Sequence, residues 1–428
     1  MTHPPQQPKL ERLPPRLVPS LYLAGAHVAL ITAFALLAWR PGLLAGFFYH
    51  PQAIALVHLV TLGWISASIL GWIYMVGPIA LRTPIAARRT DIVACALFHT
   101  GVAGLASHFW LNRYNGMVWS AGMLLIGVGL VAWRVLRAVV PGPVPRPIKL
   151  HIGLAFANIL AAGIWGALTG LEKLQLDVVP GYILGNVFAH AHLAALGWAT
   201  MMVMGMAYRL LPMMLPSAVP PERGLYASAW LLEIGVLGLF AGLVTSSWWT
   251  GAFAVLSVLG IVAFASRVAW MLSAPRPAPK ALIKPDFGVL HAVQAMGYLV
   301  LCAGLGLALL LMPASESELR WMAVYGLLGL VGFLSQIVIG VATRMLPLVT
   351  WLQQFVRSGN GSSIPSQYAM MLRPVQMGSF ALWTLGVPVL AAGLFSGAEA
   401  MISLGATALA MATVLVGINV VRVLRHAF

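Results

Sequence analysis

Apolar runs of about 20 residues, each long enough to cross ~30 Å of hydrocarbon as an α-helix, recur throughout this chain. Twelve such runs are centred near residues 30, 66, 100, 128, 160, 198, 235, 260, 300, 335, 385 and 412 of 428. Charged residues make up 8% of the chain, far below the roughly 25% of a soluble domain. In hydrocarbon every backbone polar group must be satisfied within the protein, and these runs are too long and too uniformly apolar to be barrel strands. The expected fold is therefore an all-α polytopic membrane protein with twelve transmembrane helices.

Orientation follows from charge. With the N-terminus placed in the cytoplasm, 21 of the 25 Lys and Arg residues fall on the cytoplasmic side, and Arg40, Arg113, Lys173 and Arg320 fall outside. This is the positive-inside distribution. The net charge of +15 thus marks loops facing anionic lipid, not nucleic acid. Both termini are expected to be cytoplasmic. Residues 1–19 read as a Pro-rich polar tail and not as a cleavable signal, because a full-length span follows. Residues 20–428 read as one membrane domain. Cys95 and Cys302 both lie inside spans, where small apolar filling is their expected role.

An internal repeat organises the chain. "HLVTLGWISASILGWIYMVGP" begins at His58 and "HLAALGWATMMVMGMAYRLLP" at His192. Counting each His as position zero, both carry Gly at +5, Trp at +6, Gly at +13, Tyr at +16 and Pro at +20. A third copy, "LLGLVGFLSQIVIGVATRMLP", begins at Leu327 and keeps Gly332, Gly340 and Pro347, with Phe333 for Trp and Thr343 for Tyr. The offsets of 134 and 135 residues predict three pseudo-symmetric four-helix units, at about 20–145, 146–275 and 284–425, with the second, sixth and tenth spans equivalent. At ~100° per residue the +5, +13, +16 and +20 positions share one helix face, with position zero opposite. Glycine on that face lets a neighbouring helix approach closely.

Ionisable residues within spans are candidates for function. His58 and His192 sit at matched depth, twenty residues from their prolines. Two neutral imidazoles at one level suit axial ligation of a haem iron. His190 falls about 160° from position zero, so a regular helix keeps His190 and His192 from chelating one ion. His190 is a further candidate ligand, with a competing role as an interhelical hydrogen-bond partner. His108 is the alternative ligand at comparable depth. His99 lies mid-membrane, and His50 lies at the outer mouth. His27, His151 and His291 begin the first, fifth and ninth spans and read as structural polar contacts. His3 and His426 lie in the tails. Met201, Met202, Met204, Met206, Met213 and Met214 could supply thioethers to copper, although flexible packing is the plainer role. Arg209 and Arg344 occupy equivalent places, explained by snorkelling. Glu233 could relay protons or pair with a nearby Arg.

Three pseudo-equivalent groups of four spans, an internal N-terminus and a His near the outer end of the second span resemble subunit I of the haem-copper oxidase superfamily. The length and the stretch "HAHLAALGW…MMVMGMAYRLLP" are more similar to the short subunit-I-like and NnrS-type membrane proteins. That resemblance implies a bacterial inner-membrane protein with haem b, and in NnrS-type proteins copper and a link to nitric oxide stress. By position, His58 matches the family's low-spin haem ligand, and His190 and His192 lie where the family supplies one copper ligand. The departures are specific. The family's His-His pair is missing from "GLYASAWLLEIGVLGLFAGLV", and Tyr325 and Leu327 replace the His-x-His of the tenth span. A conventional oxygen-reducing, proton-pumping centre cannot be built without them. The expectation is a haem protein for electron transfer or small-gas handling near the outer face, served by a periplasmic or membrane electron donor. The rivals are a haem-free transporter or copper-handling protein, or a non-catalytic assembly partner.

The charge distribution makes a topological prediction. Green fluorescent protein fused after Phe428 should fluoresce, and alkaline phosphatase inserted near Arg113 should be active. Activity in the opposite pattern would reverse the assignment.

Overall fold

The computed structural model of the chain describes residues 13–176, 178–277, 281–358 and 366–427. Residues 1–12 of the expected polar tail, His3 among them, and the His426 side chain lie outside the described residues. Twelve helices are long and apolar enough to cross a membrane. They are α1 (Leu17–Trp39), α2 (Pro51–Ala80), α3 (Arg89–Trp110), α4 (Met117–Val139), α5 (Arg146–Leu174) and α6 (Ile183–Met214). After these come α7 (Arg223–Thr245), α8 (Thr250–Ser273), α9 (Phe287–Leu309), α10 (Glu316–Arg357), α11 (Arg373–Ser396) and α12 (Glu399–Arg425).

The three helices that carry the repeat are the innermost. In α2, α6 and α10, 67, 50 and 67% of the most apolar window is buried, against 28–44% in the other nine. Their middles touch one another, and Trp64, Trp198 and Phe333 are buried there. Trp198 Nε1 donates to Ser66 Oγ of α2 at 3.0 Å, which ties two of the central helices together.

These helices depart from regular α geometry at equivalent places. Residues Leu59–Ser66, Leu193–Thr200 and Leu328–Ser335 form π-helical turns. Their starts are separated by the same 134 and 135 residues as the sequence repeat. A π turn bonds i to i+5 and turns the chain less per residue than an α-helix, and such turns are common at functional sites. Thr200 Oγ1 and Ser335 Oγ donate to the carbonyls five residues earlier, at 2.8 and 2.7 Å. Each hydroxyl helps satisfy backbone that lipid cannot. A uniform 100° step per residue therefore fails to place the repeat's side chains through the π turn.

The glycines nonetheless do what their spacing suggested. A Cβ on Gly63 would lie 2.5 Å from Ala29 Cβ of α1, one on Gly197 would lie 2.7 Å from Asn158 Cγ of α5, and one on Gly332 would lie 2.7 Å from Tyr298 Cγ of α9. Eight residues on, Gly71 packs against Tyr22 and Leu23, Gly205 against His151, and Gly340 against Gly288, Ala292 and His291. Each central helix thus seats its glycine face on one neighbour, α1, α5 or α9. The same contacts separate His27 from His151 and His291. Tyr22 holds the place that His151 holds, and His27 lies further along α1, edge-on to Trp64 at 5.2 Å.

At the proline ends, the +16 tyrosines reach the next helix in sequence. Tyr74 Oη donates to Asp91 Oδ1 of α3 at 2.8 Å, and Arg134 Nε of α4 lies 3.8 Å from the other carboxylate oxygen. Tyr208 Oη lies 2.7 Å from Ser228 Oγ of α7, which also lies 3.2 Å from His151 Nε2. Arg209 Nε donates to Ala80 O of α2, and Arg344 pairs with Asp286 at 3.5 Å. Both arginines are thus tied to protein groups instead of merely snorkelling. The six methionines of α6 pack in or beside the core.

A methyl group at Gly63 should strain the α1–α2 contact by about 1–3 kcal/mol, the usual cost of overpacking. At Gly129, by contrast, an added Cβ would meet nothing within 4 Å. Thermal unfolding in detergent should show Gly63→Ala well below wild type and Gly129→Ala unchanged or higher. Equal losses in both would contradict the packing argument.

Candidate functional site

The half of the bundle near the N-terminal ends of α2, α6 and α10 holds a cavity of about 740 Å³, within the usual 300–1,000 Å³ range of ligand sites. Its walls are overwhelmingly aliphatic and aromatic. The few polar side chains include His58, His190, His192, Tyr325, Cys302 and Lys173.

His58 and His190 come together across this cavity. Their ring centroids are 6.4 Å apart and their planes differ by 28°. Phe109 of α3 lies near-parallel to His58, at 5.4 Å and 13°. His58 Nδ1 lies 2.8 Å from the carbonyl of Ile54, one turn earlier. His190 Nδ1 lies 2.9 Å from the carbonyl of Ala162 in α5. A carbonyl accepts only, so both Nδ1 atoms carry the proton, and Nε2 is left with its lone pair. Neither Nε2 has a hydrogen-bond partner among the described residues. This is how a protein orients an imidazole for a metal: the far nitrogen is anchored and the near one is open. Gly166 of α5 makes room for the His190 ring, since a Cβ there would lie 2.6 Å from its Cε1.

Matched depth along the helices pairs His58 with His192. The structure pairs His58 with His190. His192 points the other way around α6, as the two-residue spacing required, and meets α10. Its Nδ1 donates to Phe188 O at 2.8 Å, and its Nε2 accepts from Tyr325 Oη at 3.2 Å.

The other histidines are apart from this site. His108 is not among the cavity walls, and its Nδ1 donates to Arg113 O at the end of α3. The α3 residue that reaches His58 is the adjacent Phe109. His99 sits on Gly25 of α1 beside Tyr22. His50 bonds to Leu43 O. His151 contacts Ser228, and His291 lies 3.4 Å from Gln336 Nε2.

Glu233 meets an amide and not an Arg. Asn158 Nδ2 donates to Glu233 Oε2 at 2.7 Å and to Gly197 O at 3.1 Å. The acceptor Gly197 lies in the π turn of α6, so a buried carboxylate and a π turn share one donor. Nothing in a single Asn of an apolar span announces this role. Lys173, which the charge pattern marks only for topology, lines the cavity, with its Nζ 4.9 Å from the Tyr49 ring centre.

No group of three or more His, Cys, Asp or Glu side chains gathers as a metal site among the described residues. A metal ion held by protein alone commonly takes three or four ligands, and the cavity offers the two open imidazoles of His58 and His190. Two anchored imidazoles facing an apolar cavity do fit a group that brings its own equatorial ligands. An imidazole pair spanning one metal needs two bonds of about 2 Å plus the two ring radii between centroids, and 6.4 Å accommodates that. The sequence matches no family model and no curated protein.

Removing Asn158 should strand the Glu233 carboxylate and cost about 1–3 kcal/mol. Asn158→Ala should unfold earlier than wild type in detergent, and adding Glu233→Gln should recover part of the loss. Simple additivity of the two substitutions would show that the pair is not coupled.

Proposed function

We propose that this chain is a b-type haem protein of the bacterial inner membrane, related to oxidase subunit I, that transfers electrons near the outer face. The observation that carries this reading is the His58–His190 pair, with both rings anchored through Nδ1 and both lining one apolar cavity. His58 and His190 would hold the group through their open Nε2 atoms. Lys173 is the cation that lines the cavity among the described residues, and its charge would favour a group that carries negative charge. When bound, the group would supply one-electron chemistry.

The paired residues favour one of the two roles that the resemblance implies. Ligation by two imidazoles leaves no position for a gas, whereas a single His would leave one. The paired geometry therefore favours electron transfer over nitric oxide binding. Anchoring also serves that role. The Ile54 and Ala162 carbonyls keep each ring in one tautomer and one orientation, so little need rearrange when charge changes. Aliphatic and aromatic walls keep the site's surroundings largely apolar. With no His in the third repeat copy, at Leu327, the chain has no means of building the conventional oxygen-reducing centre on that helix.

The purified full chain should be coloured, with a reduced-minus-oxidised spectrum typical of low-spin haem b. His58→Ala and His190→Ala should each lose most of the haem or change its spin state, and His108→Ala should leave both unchanged. A folded, colourless, metal-free preparation would sink the proposal.

A further inference from the structure

The His58–His190 pair has a counterpart one repeat further on. In the first pair, position zero of one copy meets position −2 of the next. The same rule joins His192 to Tyr325. The ring centroids are 6.0 Å apart with planes at 29°, beside 6.4 Å and 28° for the first pair. His192 Nδ1 is anchored to the carbonyl four residues earlier, as His58 Nδ1 is.

The surroundings match as well. The Tyr325 ring lies over Gly306 of α9, where a Cβ would come within 3.0 Å of its Cε2, as the His190 ring lies over Gly166 of α5. The offset from Gly166 to Gly306 is 140 residues, and the same offset carries Ala162, whose carbonyl anchors His190, onto Cys302. Both pairs line the same cavity. The third combination allowed by the rule, Leu327 with Leu56, is apolar and buried.

The two polar pairs thus differ in one respect. Tyr325 stands where the repeat elsewhere has His190, and its hydroxyl donates to His192 Nε2 at 3.2 Å. That hydrogen bond occupies the lone pair which is open on His58. A neutral phenol donates readily, but it must lose its proton to ligate a metal well.

We propose that Tyr325 sets the number of haem groups this chain carries: by capping His192 it closes a second, geometrically equivalent position, so that one haem binds, at His58–His190. This rests on the reading that the first pair binds haem. His192 is then a positioning residue for Tyr325 and not an iron ligand.

The test is haem per chain, measured by the pyridine haemochrome assay on full-length protein in detergent, together with the reduced spectrum. Wild type should hold one haem. His192→Ala should keep it with an unchanged spectrum. Tyr325→His should raise the ratio to two, and adding His192→Ala to that variant should return it to one. Loss of haem in His192→Ala would overturn both this proposal and the first pair. Two haems in wild type would overturn this proposal while leaving the first pair standing. So would a monodisperse Tyr325→His protein that still holds one haem. If Tyr325→His fails to fold, the His192→Ala result decides alone. Wild type without haem would overturn the underlying reading as well, which separates the two failures.

Discussion

Three π turns at the centre of the bundle must satisfy their own backbone where lipid supplies no hydrogen bonds. The rest of the molecule is arranged around that requirement. Hydroxyls at Thr200 and Ser335 bond back five residues within their turns, and Ser66 instead receives the Trp198 indole from the neighbouring helix. Asn158 covers the Gly197 carbonyl. Glycines at +5 let α1, α5 and α9 lie close enough to seal the other side. The π turns begin one residue after His58, His192 and Leu327, so His58 and His192 stand at the last regular α-helical position before the helix widens, with His190 two residues earlier.

One frame is filled in different ways. The rule that sets position zero of a copy against position −2 of the next yields His with His, then His with Tyr, while Leu327 and Leu56 make the remaining combination apolar. Geometry differs little between the first two, by 0.4 Å in centroid distance and 1° in plane angle. Chemistry differs completely, because an imidazole with an open nitrogen accepts a metal and one capped by a phenol does not. Function in such a frame is assigned by single side chains, and the backbone stays the same.

Much of the fold was legible in the residues. Long apolar runs can only be helices in lipid, and the recurrence of Gly, aromatic, Gly and Pro at fixed offsets marked α2, α6 and α10 as equivalent. The divergence of His190 and His192 was legible too, because two residues turn an α-helix by about 200°. Their partners were not. Matched depth along two helices says nothing of how each is rotated toward the other, so depth pairs His58 with His192 although the rings that meet are His58 and His190. The π turns were hidden for a related reason. Their sequence, Leu-x-x-Leu-Gly-aromatic in two of the copies, is as good an α-helix as any other apolar stretch, and only packing at the axis selects the wider turn.

The number of spans, their repeat and the choice of helices that carry histidine are written in the residues alone, because each depends on composition and spacing along one chain. Three-dimensional packing was needed to set which histidines face each other, to bring Glu233 to Asn158 and not to a cation, and to place Tyr325 over His192. These are contacts between residues 75 to 133 positions apart. They depend on the rotation of each helix about its axis, which interhelical packing sets and which no local pattern encodes.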